Sequence, residues 1–178
     1  WPAELHMDSD HDVLIVGQTT LDGSYDDNTF ISGQGLQSVD INCDGYDDIC
    51  MVLAGGDGPT DTDIDVGELC IIYGSASLSD TLYFSDSDVI AYGDGYYEDP
   101  QLSLFLRNLV NVHTVDMDGT GCKDLYLASP SAGAVPFGRD AGMAAVVLSS
   151  GSLPDTMNLW TDADIVFGGR ESGDGLRD

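Results

Sequence analysis

Basic residues are scarce in this sequence. Its 178 residues include five Lys and Arg and three His, against 32 Asp and Glu, so the formal net charge is -27 at pH 7. Binding to nucleic-acid phosphates depends on clustered Lys and Arg, which five residues cannot supply. The composition therefore excludes a nucleic-acid partner.

Long apolar runs are also missing. No segment approaches the roughly 20 apolar residues of a membrane-spanning helix, so we expect no membrane span. The first residues, Trp-Pro-Ala-Glu, do not read as a signal peptide, and we expect a mature or excised chain. A hydrophobic content of 42% is too high for a disordered acidic tail, so the charge belongs to a folded domain.

Glu is rare among the acidic residues, since only four of the 32 are Glu and the others are Asp. Glu would serve solubility equally well, whereas Asp suits tight turns and short-armed coordination of hard cations. The bias predicts turns and metal loops, together with an acidic surface.

Sequence signatures of catalysis are missing as well. There is no Gly-x-Ser-x-Gly, His-Glu-x-x-His or phosphate-binding loop. The segment 6–11, His-Met-Asp-Ser-Asp-His, resembles the His cluster of metallohydrolases, but His113 is the only further His. Paired carboxylates for glycoside hydrolysis would use Asp residues for which metal binding already accounts. We predict that the chain is not an enzyme.

The four cysteines, an even number, have no Cys-x-x-Cys spacing. They fit one or two disulfides in an oxidising compartment, or free buried thiols, and we favour disulfides. The residues are Cys43, Cys50, Cys70 and Cys122.

A sequence repeat with an offset of 75 to 76 residues organises the chain. Segment 77–81, Ser-Leu-Ser-Asp-Thr, recurs at 152–156 as Ser-Leu-Pro-Asp-Thr. We therefore predict one domain, 1–178, with the following internal divisions: a half-unit at 1–32, full repeats at 33–108 and 109–164, and the opening strand of a further unit at 165–178.

Short apolar segments within each repeat are β-branched or aromatic and are bounded by Gly, Asp, Ser and Pro. They predict about four strands per repeat and an all-β fold, a composition typical of a β-propeller blade. The predicted strands are 49–54, 69–73, 81–84, 89–92, 110–115, 125–128, 144–148 and 165–167.

Two nine-residue loops carry the candidate chemistry. Loop 1 (Asp40–Asp48) and loop 2 (Asp116–Asp124) place oxygen-bearing side chains at positions 1, 3, 5 and 9, with Gly at position 6 for a sharp bend. Alternating oxygen ligands of this kind favour Ca²⁺. The predicted ligands are Asp40, Asn42, Asp44, the Tyr46 carbonyl and Asp48 in loop 1, and Asp116, Asp118, Thr120, the Cys122 carbonyl and Asp124 in loop 2.

Loop 2 has Thr120 in place of a charged ligand, so we expect it to be the weaker site. The alternative for both loops is an Asx-turn without a metal. An EF-hand is disfavoured because Met51 and Leu127 stand where it needs a bidentate Glu.

Two further acidic segments are weaker candidates. Glu4, His6, Asp8 and Asp12 fall on the same loop positions near the N-terminus, with Ser9 replacing the Gly. The segment 57–65 carries alternating Asp residues, which we interpret as an exposed hairpin tip.

Loops 1 and 2, each followed by an apolar strand, with Ala54-Gly55-Gly56 and a Gly-led strand at 67–74, make the chain resemble the FG-GAP repeats of integrin-α-like β-propellers. The resemblance implies propeller blades with calcium in a hairpin loop, and proteins of this family usually bind other proteins or glycans. The chain departs from the family in its longer repeat and in its two full and two partial blades, where closed propellers have at least about four.

These observations predict a secreted, calcium-binding module for adhesion or for binding a protein or glycan. The alternative is a structural subunit in which half-blades are completed tail to head between copies, giving a filament or ring.

Overall fold

The chain folds as an all-β protein, as predicted. A computed structural model describes residues 12–16, 31–53, 56–60, 66–93, 111–130, 132 and 141–171. Within them lie the strands β1 (Leu14–Val16), β2 (Ile31–Val39), β3 (Asp48–Leu53), β4 (Glu68–Ile72), β5 (Thr81–Tyr83), β6 (Val89–Tyr92), β7 (Asn111–Val115), β8 (Asp124–Ser129), β9 (Met143–Val147), β10 (Thr156–Asn158) and β11 (Ile165–Gly168). The only helical element in this part of the chain is a 3-10 turn at Phe84–Asp86.

Two four-stranded antiparallel units form the body of the fold. Unit 1 has the strand order β2-β3-β4-β6, and unit 2 has the order β7-β8-β9-β11. The two central pairings have the same register, since Ile49 opposes Ile72 in unit 1 and Leu125 opposes Val147 in unit 2. The sequence repeat is thus a repeat of one strand pattern, and neither described sheet closes into a barrel.

The last strand of unit 2 is β11. It pairs antiparallel with β9 along its whole length, as β6 pairs with β4 in unit 1. The sequence analysis expected residues 165–178 to open a further unit, but the structure places Ile165–Gly168 at the end of unit 2. The local sequence cannot distinguish the two positions, because a short apolar segment does not indicate which strand it pairs with.

A third copy of this last strand is β1. Segment 12–17, Asp-Val-Leu-Ile-Val-Gly, matches 88–93, Asp-Val-Ile-Ala-Tyr-Gly, at the repeat offset. The sequence analysis assigned this segment only to a half-unit at 1–32, without a partner strand. The structure instead pairs β1 in parallel with β5.

Two short strands, β5 and β10, each pair with a last strand from the preceding repeat, and we call them the joining strands. β5 pairs with β1 and β10 pairs with β6, both in parallel. The registers are equivalent, with Leu14 opposite Thr81 in one pair and Ile90 opposite Thr156 in the other. Each joining strand follows the third strand of its own unit in sequence, but in space it extends the preceding sheet.

The main hydrophobic core lies between the two units. Alternate residues of β3, β4 and β6 pack against alternate residues of β8 and β9 and against the joining strand β10. Its buried members include Cys50, Val52, Leu69, Ile71, Val89 and Ala91 from unit 1, Leu125, Leu127, Ala145 and Val147 from unit 2, and Met157 and Leu159 in and directly after β10.

A smaller core covers the other face of unit 1. It contains Met51, Leu53, Cys70, Ile72, Leu82 and Phe84, with Val13 and Ile15 packed against it. Because side chains alternate along a strand, the two faces of unit 1 are buried separately by its two neighbours. The unit is therefore apolar on both sides.

Several Asp residues act in backbone capping. Asp88 accepts a hydrogen bond from the Tyr73 amide at 2.7 Å, and Asp164 accepts one from the Leu148 amide at 2.8 Å. Both carboxylates pair with an amide just beyond the third strand of their unit. A Glu side chain is one methylene longer and would not sit in this geometry, which accounts for part of the preference for Asp.

One disulfide links the two units, between Cys43 and Cys122, with their Cα atoms 5.4 Å apart. Cys50 and Cys70 are buried free thiols. In the described residues no helix has the length and apolar character needed to cross a membrane.

Candidate metal centre

Loops 1 and 2 occupy equivalent hairpins, loop 1 between β2 and β3 and loop 2 between β7 and β8. Positions 4 and 6 of both loops have left-handed backbone. In loop 1 these are Cys43 (φ 62°) and Gly45 (φ 93°), and in loop 2 they are Gly119 (φ 78°) and Gly121 (φ 96°). The predicted sharp bend at the position-6 Gly is confirmed, because a side chain is strained at such φ values.

The ninth residue of each loop is a buried anchor. Asp48 and Asp124 are both 0% exposed. Asp48 accepts hydrogen bonds from the amides of Ile41 and Gly74, both at 2.8 Å. Burial raises the pKa of Asp48, and the amide hydrogen bonds partly oppose this rise.

Asp124 repeats this arrangement in loop 2. It accepts hydrogen bonds from the amides of Met117 at 2.6 Å and Ser149 at 2.8 Å. One carboxylate thus ties the start and the end of its loop to the segment directly after β9. A carboxylate oxygen has more than one lone pair, so these bonds leave acceptor capacity toward the loop interior.

The first residue of each loop is bonded to amides within the loop. Asp40 accepts from the amides of Asp44 at 3.1 Å and Gly45 at 3.0 Å. Asp116 accepts from the amides of Gly119 at 2.7 Å and Gly121 at 3.1 Å. These bonds reach three to five residues along the chain and hold the first residue of each loop against the loop backbone.

Loop 2 brings its carboxylates together. One oxygen each of Asp116, Asp118 and Asp124 lies within 4.8 Å of the others. Hydrogen bonds from the hydroxyl of Thr120 and, to a smaller extent, from its amide lower the pKa of Asp118. Three carboxylate oxygens at this spacing form a set that could hold a hard cation.

Thr120, which was also predicted as a ligand in loop 2, lies at the surface of the loop. Its amide donates to Asp118 at 3.0 Å and its hydroxyl lies 3.5 Å from the Ser149 carbonyl. Cys122, whose carbonyl was the remaining predicted ligand, is buried and disulfide-bonded.

Loop 1 has a different internal arrangement. The Asn42 amide group donates to the Asp44 carboxylate at 3.2 Å, and the Tyr46 amide donates to the same carboxylate at 2.8 Å. Within the described ranges, loop 2 supplies the one group of three acidic ligand atoms at metal-binding spacing. The carboxylates of loop 1 do not form such a group.

The two loops are in contact with each other. The disulfide joins position 4 of loop 1 to position 7 of loop 2 across 79 residues of sequence. The Ser149 hydroxyl also donates to the carbonyl of Ile41, at 2.6 Å and fully buried. Since the Ser149 amide is bonded to Asp124, one residue touches the anchor of loop 2 and the backbone of loop 1.

Sequence reasoning missed this connection. Ser149 stands where the first repeat has Gly74, and a side chain at Gly74 would clash with the Asp47 carbonyl. The substitution of Gly by Ser at equivalent positions was the available signal that the two loops differ in their neighbours.

Other candidate positions lie mostly outside the described residues. Glu4, His6 and Asp8 of the N-terminal candidate loop are outside them, as are residues 61–65 of the acidic segment. Asp12 is described and directly precedes Val13 and β1, which places it in the position of Asp88 before β6.

The two free thiols, Cys50 and Cys70, are buried. Burial raises the pKa of both Cys50 and Cys70 to about 12, with nearby carboxylates adding to the rise. Thiols are nucleophiles in their ionised form, so this rise disfavours a nucleophilic role for either residue.

Comparison of the sequence with models of known protein families gives no match, and comparison with curated proteins gives none. The resemblance to FG-GAP repeats therefore remains a prediction from the loops and strands.

Proposed function

We propose that this chain is a calcium-binding repeat module that acts outside the cell. The observation that carries the proposal is the convergence of Asp116, Asp118 and Asp124 within 4.8 Å at a hairpin tip. Ca²⁺ accepts irregular sets of carboxylate, hydroxyl and carbonyl oxygens, whereas Mg²⁺ demands near-ideal octahedral geometry, so the loop favours Ca²⁺. Loop 1 is proposed as a second site that rearranges on binding, with the Asn42 oxygen turning inward.

The repeat units are proposed to be blades of the FG-GAP type. Four antiparallel strands per unit, stacked face to face with a loop at the first hairpin, support this interpretation. A disulfide between the loops supports an oxidising compartment and hence secretion. The burial of both free thiols is in keeping with a role other than catalysis.

The proposed role is to bind a protein or glycan at the loop surface. Tyr46 and Met117 are 46% and 51% exposed and lie in loops 1 and 2. An ion that fixes the loops would fix these two side chains as well. Ligand binding that persists unchanged in chelator would count against this arrangement.

Isothermal titration calorimetry with CaCl₂, and in parallel with MgCl₂, tests the metal proposal. We expect calcium dissociation constants of about 10⁻⁴ to 10⁻³ M, in the range of extracellular modules, and weaker binding of Mg²⁺. Asp118→Asn should weaken the loop 2 site by about tenfold, because it removes one of three charged ligands.

Asp155→Asn is the matched control, since Asp155 is an exposed residue outside both loops and the change removes the same charge. Equal weakening by the two variants would mean that calcium responds only to the overall charge. Undisturbed binding in Asp118→Asn would exclude loop 2 as the site.

A further inference from the structure

The contact that joins successive repeats occurs twice in this molecule. In the first joint β5 lies beside β1, and in the second β10 lies beside β6. The amide of Leu14 donates to the Asp80 carbonyl in the first, and the amide of Ile90 donates to the Asp155 carbonyl in the second, both at 2.9 Å. The same residues of the repeat therefore make the same contact at two places.

The last strand of unit 2, β11, has no joining strand beside it in the described part of the chain. Its inner edge is paired with β9. By equivalence with Leu14 and Ile90, the amide of Val166 points to the outer edge. An open strand edge of this kind is a template for pairing with another chain.

The side chains of β11 are exposed where those of β6 are buried. Ile165 is 42% exposed and its equivalent Val89 is 1% exposed, while Phe167 is 49% exposed and its equivalent Ala91 is 0% exposed. In unit 1 this face is covered by unit 2 and its joining strand. The same face of unit 2 thus presents two large apolar side chains next to a strand edge that has no partner among the described residues.

A second copy of the chain contains the surface that fits. Its β5 is a joining strand, and beside β5 lies the smaller core of unit 1, which includes Met51, Ile72 and Phe84. In each copy this core is covered by Val13 and Ile15.

The strand that now covers this core is replaceable. β1 is three residues long and pairs, in the described residues, with β5 alone. β11 is the same strand of the repeat and is backed by a full sheet. Ile165 and Phe167 occupy the repeat positions of Val13 and Ile15.

We propose that β11 of one copy replaces β1 of the next copy, pairing in parallel with its β5. The register follows from the two existing joints and sets Val166 opposite Thr81 and Gly168 opposite Tyr83. Ile165 and Phe167 then pack on the smaller core of unit 1. The exchange keeps the hydrogen bonds of the joint and buries Ile165 and Phe167 in place of the smaller Val13 and Ile15, a low-cost route to association.

The two copies use different surfaces, so the contact is heterologous and leaves one open end at each side of the assembly. Such contacts extend into a ring or a fibre rather than stopping at a dimer. The proposal does not depend on calcium, because no loop residue takes part in it.

Sedimentation velocity of the full chain in fixed calcium, from about 1 to about 100 μM, tests it. We expect a series of species in multiples of 18.9 kDa that grows with concentration. Val166→Pro removes the outward amide and should raise the dissociation constant by about fivefold or more, the equivalent of one backbone hydrogen bond. Val166→Ala keeps the amide and is the matched control.

Phe167→Asp, at a position already half exposed, should abolish self-association of that variant. Its β5 surface is intact, so adding it to wild-type chains should cap their growth and reduce their mean mass. Circular dichroism and the melting temperature confirm that each variant is folded.

Three results would overturn the proposal. A wild-type chain that is monomeric throughout the concentration range would show that β11 does not bind a second copy. A wild-type dimer that grows no further, and that Phe167→Asp cannot cap, would indicate symmetric pairing of two β11 strands. Association that neither Val166→Pro nor Phe167→Asp weakens would place the contact elsewhere.

Discussion

At the scale of single residues, one carboxylate in each repeat holds a loop and two strands together. Asp48 is fully buried and bonded to two amides that are separated by more than thirty residues, Ile41 and Gly74. Its equivalent Asp124 does the same in the second repeat. The ninth loop residue is therefore needed for folding as well as being a candidate ligand.

Asp48→Asn should lower the free energy of unfolding by about 2 kcal/mol, because the amide group of Asn turns a donor toward one of two buried N–H groups. Urea unfolding in chelator measures this without any contribution from a bound metal. Asp47→Asn, one residue away and exposed, is the control for charge removal. A loss of stability seen with calcium but not in chelator would show that Asp48 acts through the ion alone.

At the scale of elements, the two loops form one connected structure. The disulfide from Cys43 to Cys122 and the hydrogen bond from Ser149 to Ile41 both cross from one unit to the other at the loops. The backbones of loops 1 and 2 therefore restrain each other directly.

Replacing both Cys43 and Cys122 by Ser should lower the free energy of unfolding by roughly 2 to 4 kcal/mol, since the bond closes a long loop in the unfolded chain. We also expect weaker calcium binding, because the loops lose a mutual restraint. Calorimetry and urea unfolding measure the two effects. Reductant should reproduce both effects in the wild type and change nothing in the double variant. An effect of reductant on the double variant would mean that the two effects do not come from this disulfide.

Sequence patterns predicted the strands better than their partners. The predicted strand 89–92 matches β6 residue for residue, and 81–84 contains β5. That β5 lies beside β1 in parallel was not predicted, because a pairing across so many residues leaves no trace in local periodicity. Four cysteines likewise admit several pairings, and the spacing of Cys43 and Cys122 does not choose among them.

For the candidate site, the sequence likewise predicted the local loops but not their tertiary contacts. Regular spacing located both loops and the bend at Gly45, and an Asp-rich loop is identifiable because its side chains act within nine residues. The convergence of carboxylates in loop 2 but not in loop 1 was not predicted, and neither was the contact from Ser149 to Ile41, which comes from tertiary packing.

At the scale of the whole molecule, the acidic charge opposes folding. A net charge of -27 is confined to a chain of 18.9 kDa, and like charges repel more strongly in the compact state. Bound cations and dissolved salt both reduce this repulsion.

The melting temperature should therefore rise with NaCl, by several degrees between about 10 mM and about 150 mM, as the Debye length falls from about 30 Å to about 8 Å. Differential scanning calorimetry in chelator measures this general screening. Calcium at matched ionic strength should raise the melting temperature further if the loops bind it. Equal effects of calcium and of Mg²⁺ at the same ionic strength would mean that only screening operates.

The joining strands put the sequence repeat and the sheets out of phase. β10 follows the third strand of unit 2 in the chain but extends the sheet of unit 1. That sheet is therefore assembled from two consecutive periods of the sequence repeat. Removing or inserting part of a period would leave one sheet short and its neighbour with a strand in the wrong place. A lineage carrying this architecture would lengthen or shorten by whole periods of about 76 residues, and the number of units would vary more readily than the length of any one.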